Sequence, residues 1–186
     1  MNGNQGNILL ESGTNELEIV LFGIGDGTFA INVLKVREII VPMPITKIPN
    51  SHEFVEGVIQ LRGEVIPVID LARVLNIPPS ADGENDKFIV SELNEIKIAF
   101  RVHNIFQIQR VSWQQIEKPH DLSAGRQPYA TGIIKLGDRM SILLDLEKIV
   151  VEINPDLGGD VDSLKVLGER ERTLKKIVAA EDSAVL

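Results

Sequence analysis

Apolar and polar residues along this chain fall in short runs separated by turn residues, a pattern that favours β-strands over most of its length. Leu17–Ile24 and Thr28–Val33 flank a Gly25-Asp26-Gly27 turn and read as a hairpin, and Lys87–Leu93 and Ile96–Val102 flank Asn94-Glu95 and read as a second. Val58–Leu61 and Val65–Ile69 read as a strand pair joined at Arg62-Gly63. Pro67 suggests an edge or a bulge there, because proline has no N–H to give the ladder. Leu34–Ile40 reads as one or two helical turns, stopped by Pro42 and Pro44.

The stretch Gly57–Leu75 returns, ungapped, 75 residues later as Gly132–Val150. Of the 19 aligned positions, five are identical (Gly57/Gly132, Ile59/Ile134, Leu61/Leu136, Asp70/Asp145, Leu71/Leu146), and six more exchange one apolar residue for another. The duplication reaches further back: Phe29–Val33 lies over Ile98–Val102 at an offset of 69, which also sets Val36 and Ile39 over Ile105 and Ile108. Asp70 and Asp145 occupy N-cap positions ahead of short apolar helices, where a carboxylate satisfies free backbone N–H groups. Each half therefore reads hairpin, helical turn, strand pair, helix. Two such halves, at about 16–77 and 86–151 and divided by the polar stretch Pro78–Asp86, predict a mainly β protein of two small barrels. Residues 1–15 read as a flexible N-terminal segment, 152–173 as a partly helical linker, and 174–186 as the first strand of a further domain. What the copies share is scaffold, so specific function is sought where they differ.

Composition narrows the function classes. The 186 residues suffice to bury a core without staples, and the absence of cysteine removes thiolate chemistry and fits a reducing compartment. Nineteen basic against twenty-seven acidic residues leave a net charge of −8, and aromatics are few, so the basic stripe and stacking platforms of a nucleic-acid binder are not expected. No apolar run approaches the ~20 residues that span a bilayer, and the N-terminus lacks a signal peptide, which points to the cytoplasm. His52, His103 and His120 are scattered, with no metal-ligand spacing, and there is neither a Gly-x-Ser-x-Gly elbow nor a phosphate loop. Gly23, Gly25 and Gly27 superficially resemble a dinucleotide loop, but a strand pattern follows where a helix would be needed. No enzyme and no cofactor is expected.

The informative polar residues belong to the first copy alone. Glu38 follows Val36-Arg37 in an apolar segment and Arg62 interrupts the strand pair, whereas the second copy has Gln107 and Gly137 at those positions. The two either pair or stand as independent surface charges. With Phe29-Ala-Ile31, Val36-Arg-Glu-Ile-Ile40, Ile45-Thr-Lys-Ile-Pro49 and Gly57–Leu71, and with Tyr129-Ala-Thr-Gly132 and Leu136–Met140 in the second copy, the chain resembles the CheW family of chemotaxis coupling proteins from about Leu17 to Val150. Gln60 is a small departure, since the family often has Asn there.

The ends resemble CheV proteins, in which a CheW-like domain is fused to a phosphorylatable receiver. Lys176–Ser183 is similar to a first receiver strand, and Glu181 and Asp182 match its Mg²⁺-holding acidic pair, though the rest of the receiver is absent and no functional metal site is expected in this chain. The resemblance implies two SH3-like five-stranded β-barrel lobes with a few short helices. It further implies a non-catalytic adaptor that docks on the cytoplasmic tip of a methyl-accepting chemoreceptor and on the regulatory domain of the CheA histidine kinase, touching membrane only through receptors. Val36, Glu38, Ile39, Gly57, Arg62 and Gly63 are the partner-binding candidates: the resemblance links Glu38 and Arg62 to receptor coupling and to each other, the apolar pair would line a groove for a helical hairpin, and the glycines would permit close backbone approach. Alternatives are a stand-alone CheW-type coupling protein, a small-ligand or nucleic-acid-binding barrel, and an enzyme built on Asp70 or Asp145, which would need a deep pocket.

Overall fold

The computed structural model describes residues 15–119 and 128–155. Its strands are β1 (Glu16–Ile24), β2 (Gly27–Asn32), β3 (Val36–Ile40), β4 (Val55–Leu61), β5 (Glu64–Asp70), β6 (Lys87–Leu93), β7 (Ile96–Val102), β8 (Asn104–Ser112), β9 (Ile116–Glu117), β10 (Ala130–Leu136) and β11 (Arg139–Leu144). Single 3₁₀ turns occupy Val33–Lys35 and Trp113–Gln115, and the helices are α1 (Leu71–Val74) and α2 (Leu146–Ile153). By compactness the chain divides between Asp145 and Leu146. All eleven strands belong to the first unit; α2, the described helix of the second, buries Leu146, Ile149 and Val150, an i, i+3, i+4 stripe.

The strands form two sheets, ordered β8-β1-β2-β11-β10-β9 and β3-β6-β7-β5-β4. The expected hairpins β1–β2, β4–β5 and β6–β7 are all present. Their placement corrects the expectation that 16–77 and 86–151 each build a lobe of their own. The β1–β2 hairpin of the first half sits in a sheet otherwise made by the second, joined to it by the parallel pair β2–β11, and the β6–β7 hairpin makes the reciprocal exchange through the parallel pair β5–β7. Both cores are consequently mixed. Leu17, Ile19, Leu21 and Ala30 pack with Val111, Ile134 and Leu143, while Phe88, Val90 and Ala99 pack with Ile59, Leu61, Ile66 and Val68. The cause is connection length. His103 alone separates β7 from β8, and a two-residue loop is needed to reverse a strand, so the chain runs on into the other sheet.

One local expectation is also corrected. Leu34–Ile40 is one 3₁₀ turn followed by β3, because β-branched Val36, Ile39 and Ile40 prefer the pleated surface and find an antiparallel partner in β6. Pro67 sits where β5 has a local edge: it opposes Val58, whose N–H and C=O both turn outward to Thr46, so its ring nitrogen faces the side where pairing with β7 begins only at Val68, and the Glu56 bulge lies opposite Val68 and Ile69 beside it.

Both sheets close in the same way. Beyond the β3 edge the chain returns to the β4 edge, where Thr46 and Val58 exchange backbone hydrogen bonds of 2.8 and 2.9 Å while Ile40, Met43 and Ile45 cover the core. Beyond β8 it returns as β9 along β10. Four bulges obey the duplication too: Arg37 in β3 and Phe106 in β8 are the extra residues at one equivalent position, and Glu56 in β4 and Thr131 in β10 at another.

Candidate functional site

Arg62 and Gly63 form the two-residue β4–β5 turn with φ of 50° and 83°, the double positive pair of a type I′ hairpin. Glycine adopts this without strain, but arginine does not, and the repeat-equivalent turn places Gly137 where Arg62 stands. The turn lies beside the β4 edge, and Glu38 lies on β3 at the opposite edge, just after the bulge at Arg37. Closure of the sheet brings the two together. Arg62 donates from Nη1 to Glu38 Oε1 at 2.7 Å and from Nη2 to Oε2 at 2.8 Å, a bidentate fork across the seam.

The pair is not buried: the Arg62 side chain is 74% exposed and that of Glu38 26%. An exposed pair adds little to stability, so its geometry is better explained by what it presents than by what it holds together. Its hydrogen bonds to Glu38, and then the attraction of that carboxylate, hold the Arg62 guanidinium above its ordinary value. Two of its five N–H groups serve Glu38, leaving the others directed to solvent and available to carboxylates or carbonyls of a partner.

Of the other candidates, Gly63 is exposed on the turn, and Val36 and Ile39 are half-buried on β3, the strand that carries Glu38. Gly57 is different. It is buried, and its close approach is to its own chain: an added Cβ would lie 2.3 Å from the Thr46 carbonyl oxygen, so closure of its own sheet already requires a glycine here. Glu181, Asp182 and His120 lie outside the described residues.

Sequence reasoning missed a second polar cluster. Arg101 on β7 stands 3.2 Å from Glu56, the β4 bulge residue, and 3.9 Å from buried Asp86, and its guanidinium carbon lies 5.5 Å from the centre of the Phe88 ring. Burial pushes the Glu56 carboxyl up from its ordinary 4.5; Arg101 draws it back, and Asp70 adds to the rise. The available signal was the charge at Arg101, which interrupts Ile98-Ala-Phe100. A cavity of about 220 Å³ beside this cluster is lined by Asp70, Asp86, Arg101 and His103 among others. Asp70 is committed: its Oδ1 accepts from Ala72 N–H at 2.9 Å and its Oδ2 faces Arg73 at 3.4 Å, which makes it a cap. No group of three metal-ligating side chains occurs among the described residues.

Compared with protein families, residues 18–154 match the CheW-like domain. The chain is 36% identical over 173 residues to the chemotaxis protein CheV3 of Helicobacter pylori, an alignment that spans 84% of this chain and 55% of that protein. It is 33% identical over 145 residues to the chemotaxis protein CheW of Thermotoga maritima, spanning 77% and 94%. Among solved structures, the scaffolding protein TtCheW from Thermoanaerobacter tengcongensis matches with a TM-score of 0.65 at 29% identity, covering 69% of this chain and 88% of that one.

Proposed function

The chain belongs to the CheW-like domain family, and from that premise we propose that it is a non-catalytic adaptor in chemotaxis, joining receptor tips to the CheA histidine kinase. The likeness to CheV3, of which it spans about half the length, supports reading it as the coupling portion of a CheV-type protein whose phosphorylatable receiver domain, beginning near residue 174, tunes that coupling. Residues 16–151 are the coupling domain in this reading.

The observation that carries the proposal is the Glu38–Arg62 fork, exposed, held across the sheet seam, and present in one copy of the duplication alone. A receptor tip is a helical hairpin, so it presents apolar ridges and exposed polar side chains. On β3, Val36 and Ile39 oppose Ser91 and Ile89 while Glu38 opposes Val90, so the apolar pair and the fork occupy the two faces of one edge strand, and a helical hairpin seated on that edge would meet both. The turn backbone at Gly63, with no atom near its missing Cβ, lets a helix come close.

The test is binding of a helical receptor-tip fragment to wild type and to Arg62→Ala. Truncation should weaken binding on the order of tenfold, the scale of losing a charge-assisted anchor, while the circular dichroism spectrum stays that of wild type. Unchanged affinity would remove this surface from the proposal.

A further inference from the structure

The two hairpin turns at one end of the second sheet share a feature that the first sheet lacks. Arg62-Gly63 joins β4 to β5 and Asn94-Glu95 joins β6 to β7, and in each a charged residue takes a positive φ, 50° at Arg62 and 67° at Glu95. A type I′ turn favours asparagine or glycine first and glycine second, so both charged side chains are carried on strained backbone. Their repeat equivalents are relaxed. Gly137 replaces Arg62 at an offset of 75 and Gly25-Asp26 replaces Asn94-Glu95 at 69, and there the positive φ falls on glycine. The other carboxylates at this end of the sheet are paired: Glu38 with Arg62, Glu92 with Arg37 at 2.8 Å and Glu64 with Lys97 at 2.7 Å. Glu95 is exposed and makes no hydrogen bond or ion pair among the described residues.

The register fixes where Glu95 stands relative to Arg62. β7 runs parallel to β5 and β6 antiparallel to β3, so both turns lie at the same end of the sheet. In the order β3-β6-β7-β5-β4, β7 is two strands from β4 and two from β3. At about 4.8 Å per strand, Glu95 is about 10 Å across the end of the closed sheet from the Glu38–Arg62 fork. We propose that Glu95 is a second polar contact of the receptor-facing surface, taking a basic side chain from the same helix whose acidic side chain meets Arg62. This contact rests on the coupling reading of the domain, and it specifies the partner: a helix with an acid and a base seven residues apart on one face, about 10.5 Å along its axis, spans both positions. The opposite signs also orient that helix, because reversing it sets like charge against like. Glycine at position 95 would relax the turn and remove the carboxylate, which is why the strain is kept.

Binding of the helical receptor-tip fragment to the full chain tests this contact, with urea unfolding alongside. Glu95→Gln keeps the strained turn and loses the charge, so it should bind about threefold more weakly with an unchanged urea midpoint. Glu95→Lys repels the basic group and should lose about tenfold. Glu95→Gly should raise the urea midpoint while binding no better than Glu95→Gln, separating the strain from the recognition it serves. The loss at Glu95→Gln should close in about 1 M salt, where the screening length falls to about 3 Å. If Arg62→Ala weakens binding while all three Glu95 variants bind like wild type, the second contact is overturned and the coupling surface stands. If Arg62→Ala and the Glu95 variants are all silent, the coupling surface falls and this contact with it.

Discussion

Glu56 and Arg62 show how differently two charged residues of one hairpin register in a sequence. Arg62 was legible because it breaks the duplication at a turn where its counterpart is glycine, and its partner Glu38 breaks it in the same half. Glu56 breaks it too, against Thr131, but its meaning depends on Arg101 and Asp86, which come from other elements and meet it only through the exchanged hairpin. Its ion pair at 3.2 Å favours the charged form, yet burial outweighs that attraction and raises the carboxyl above 4.5. The folded state therefore binds this proton more tightly than the unfolded chain does. Its stabilising effect is complete below the unfolded value and is lost as pH rises through the elevated folded value. Glu56→Gln cannot titrate, so urea unfolding from pH 4.5 upward should show the variant gaining on wild type as pH increases; a constant difference would mean that Glu56 keeps its ordinary value in the fold.

At the scale of elements, strands and turns were readable because β-branched alternation and turn residues are local signals. β3 escaped for the same reason: seven residues ending before a proline fit a helical turn or a strand equally, and the decision belongs to β6, 50 residues away in sequence. Gly57 was visible as a position needing glycine, while the atom it avoids, the Thr46 carbonyl, was not. That contact is what closes the second sheet, since the Thr46–Val58 bridge seals the β4 edge immediately beside it. Gly57→Ala, at φ 154° and with a Cβ 2.3 Å from that oxygen, must push the segment off. It should cost about 3 kcal/mol or more in chemical denaturation, whereas Gly63→Ala, strained in φ but open in space, should cost nearer 1 kcal/mol. Similar losses at both sites would show that the bridge does not constrain the fold.

For the whole strand unit, the duplication announced two similar halves but not how they are joined, because a hairpin's sequence does not say which sheet receives it. The one-residue connection at His103 and the three-residue turn Val33–Lys35 carry that information, and each takes the chain from the sheet that receives its hairpin into the sheet its own half builds. Neither half owns a complete core: Leu17–Ala30 need Val111, Ile134 and Leu143, and Ile59–Val68 need Phe88, Val90 and Ala99. The two sheets should then fold as one cooperative unit, with a rate limited by these long-range pairings. Produced separately, fragments 16–77 and 86–151 should each give the poorly dispersed amide spectrum of an unfolded chain, and mixing them should restore dispersion as the hairpins cross over. A well-dispersed spectrum from either fragment alone would show that a half can take back its own hairpin, making the exchange a choice between two closures of similar energy, with the short connections no longer its cause.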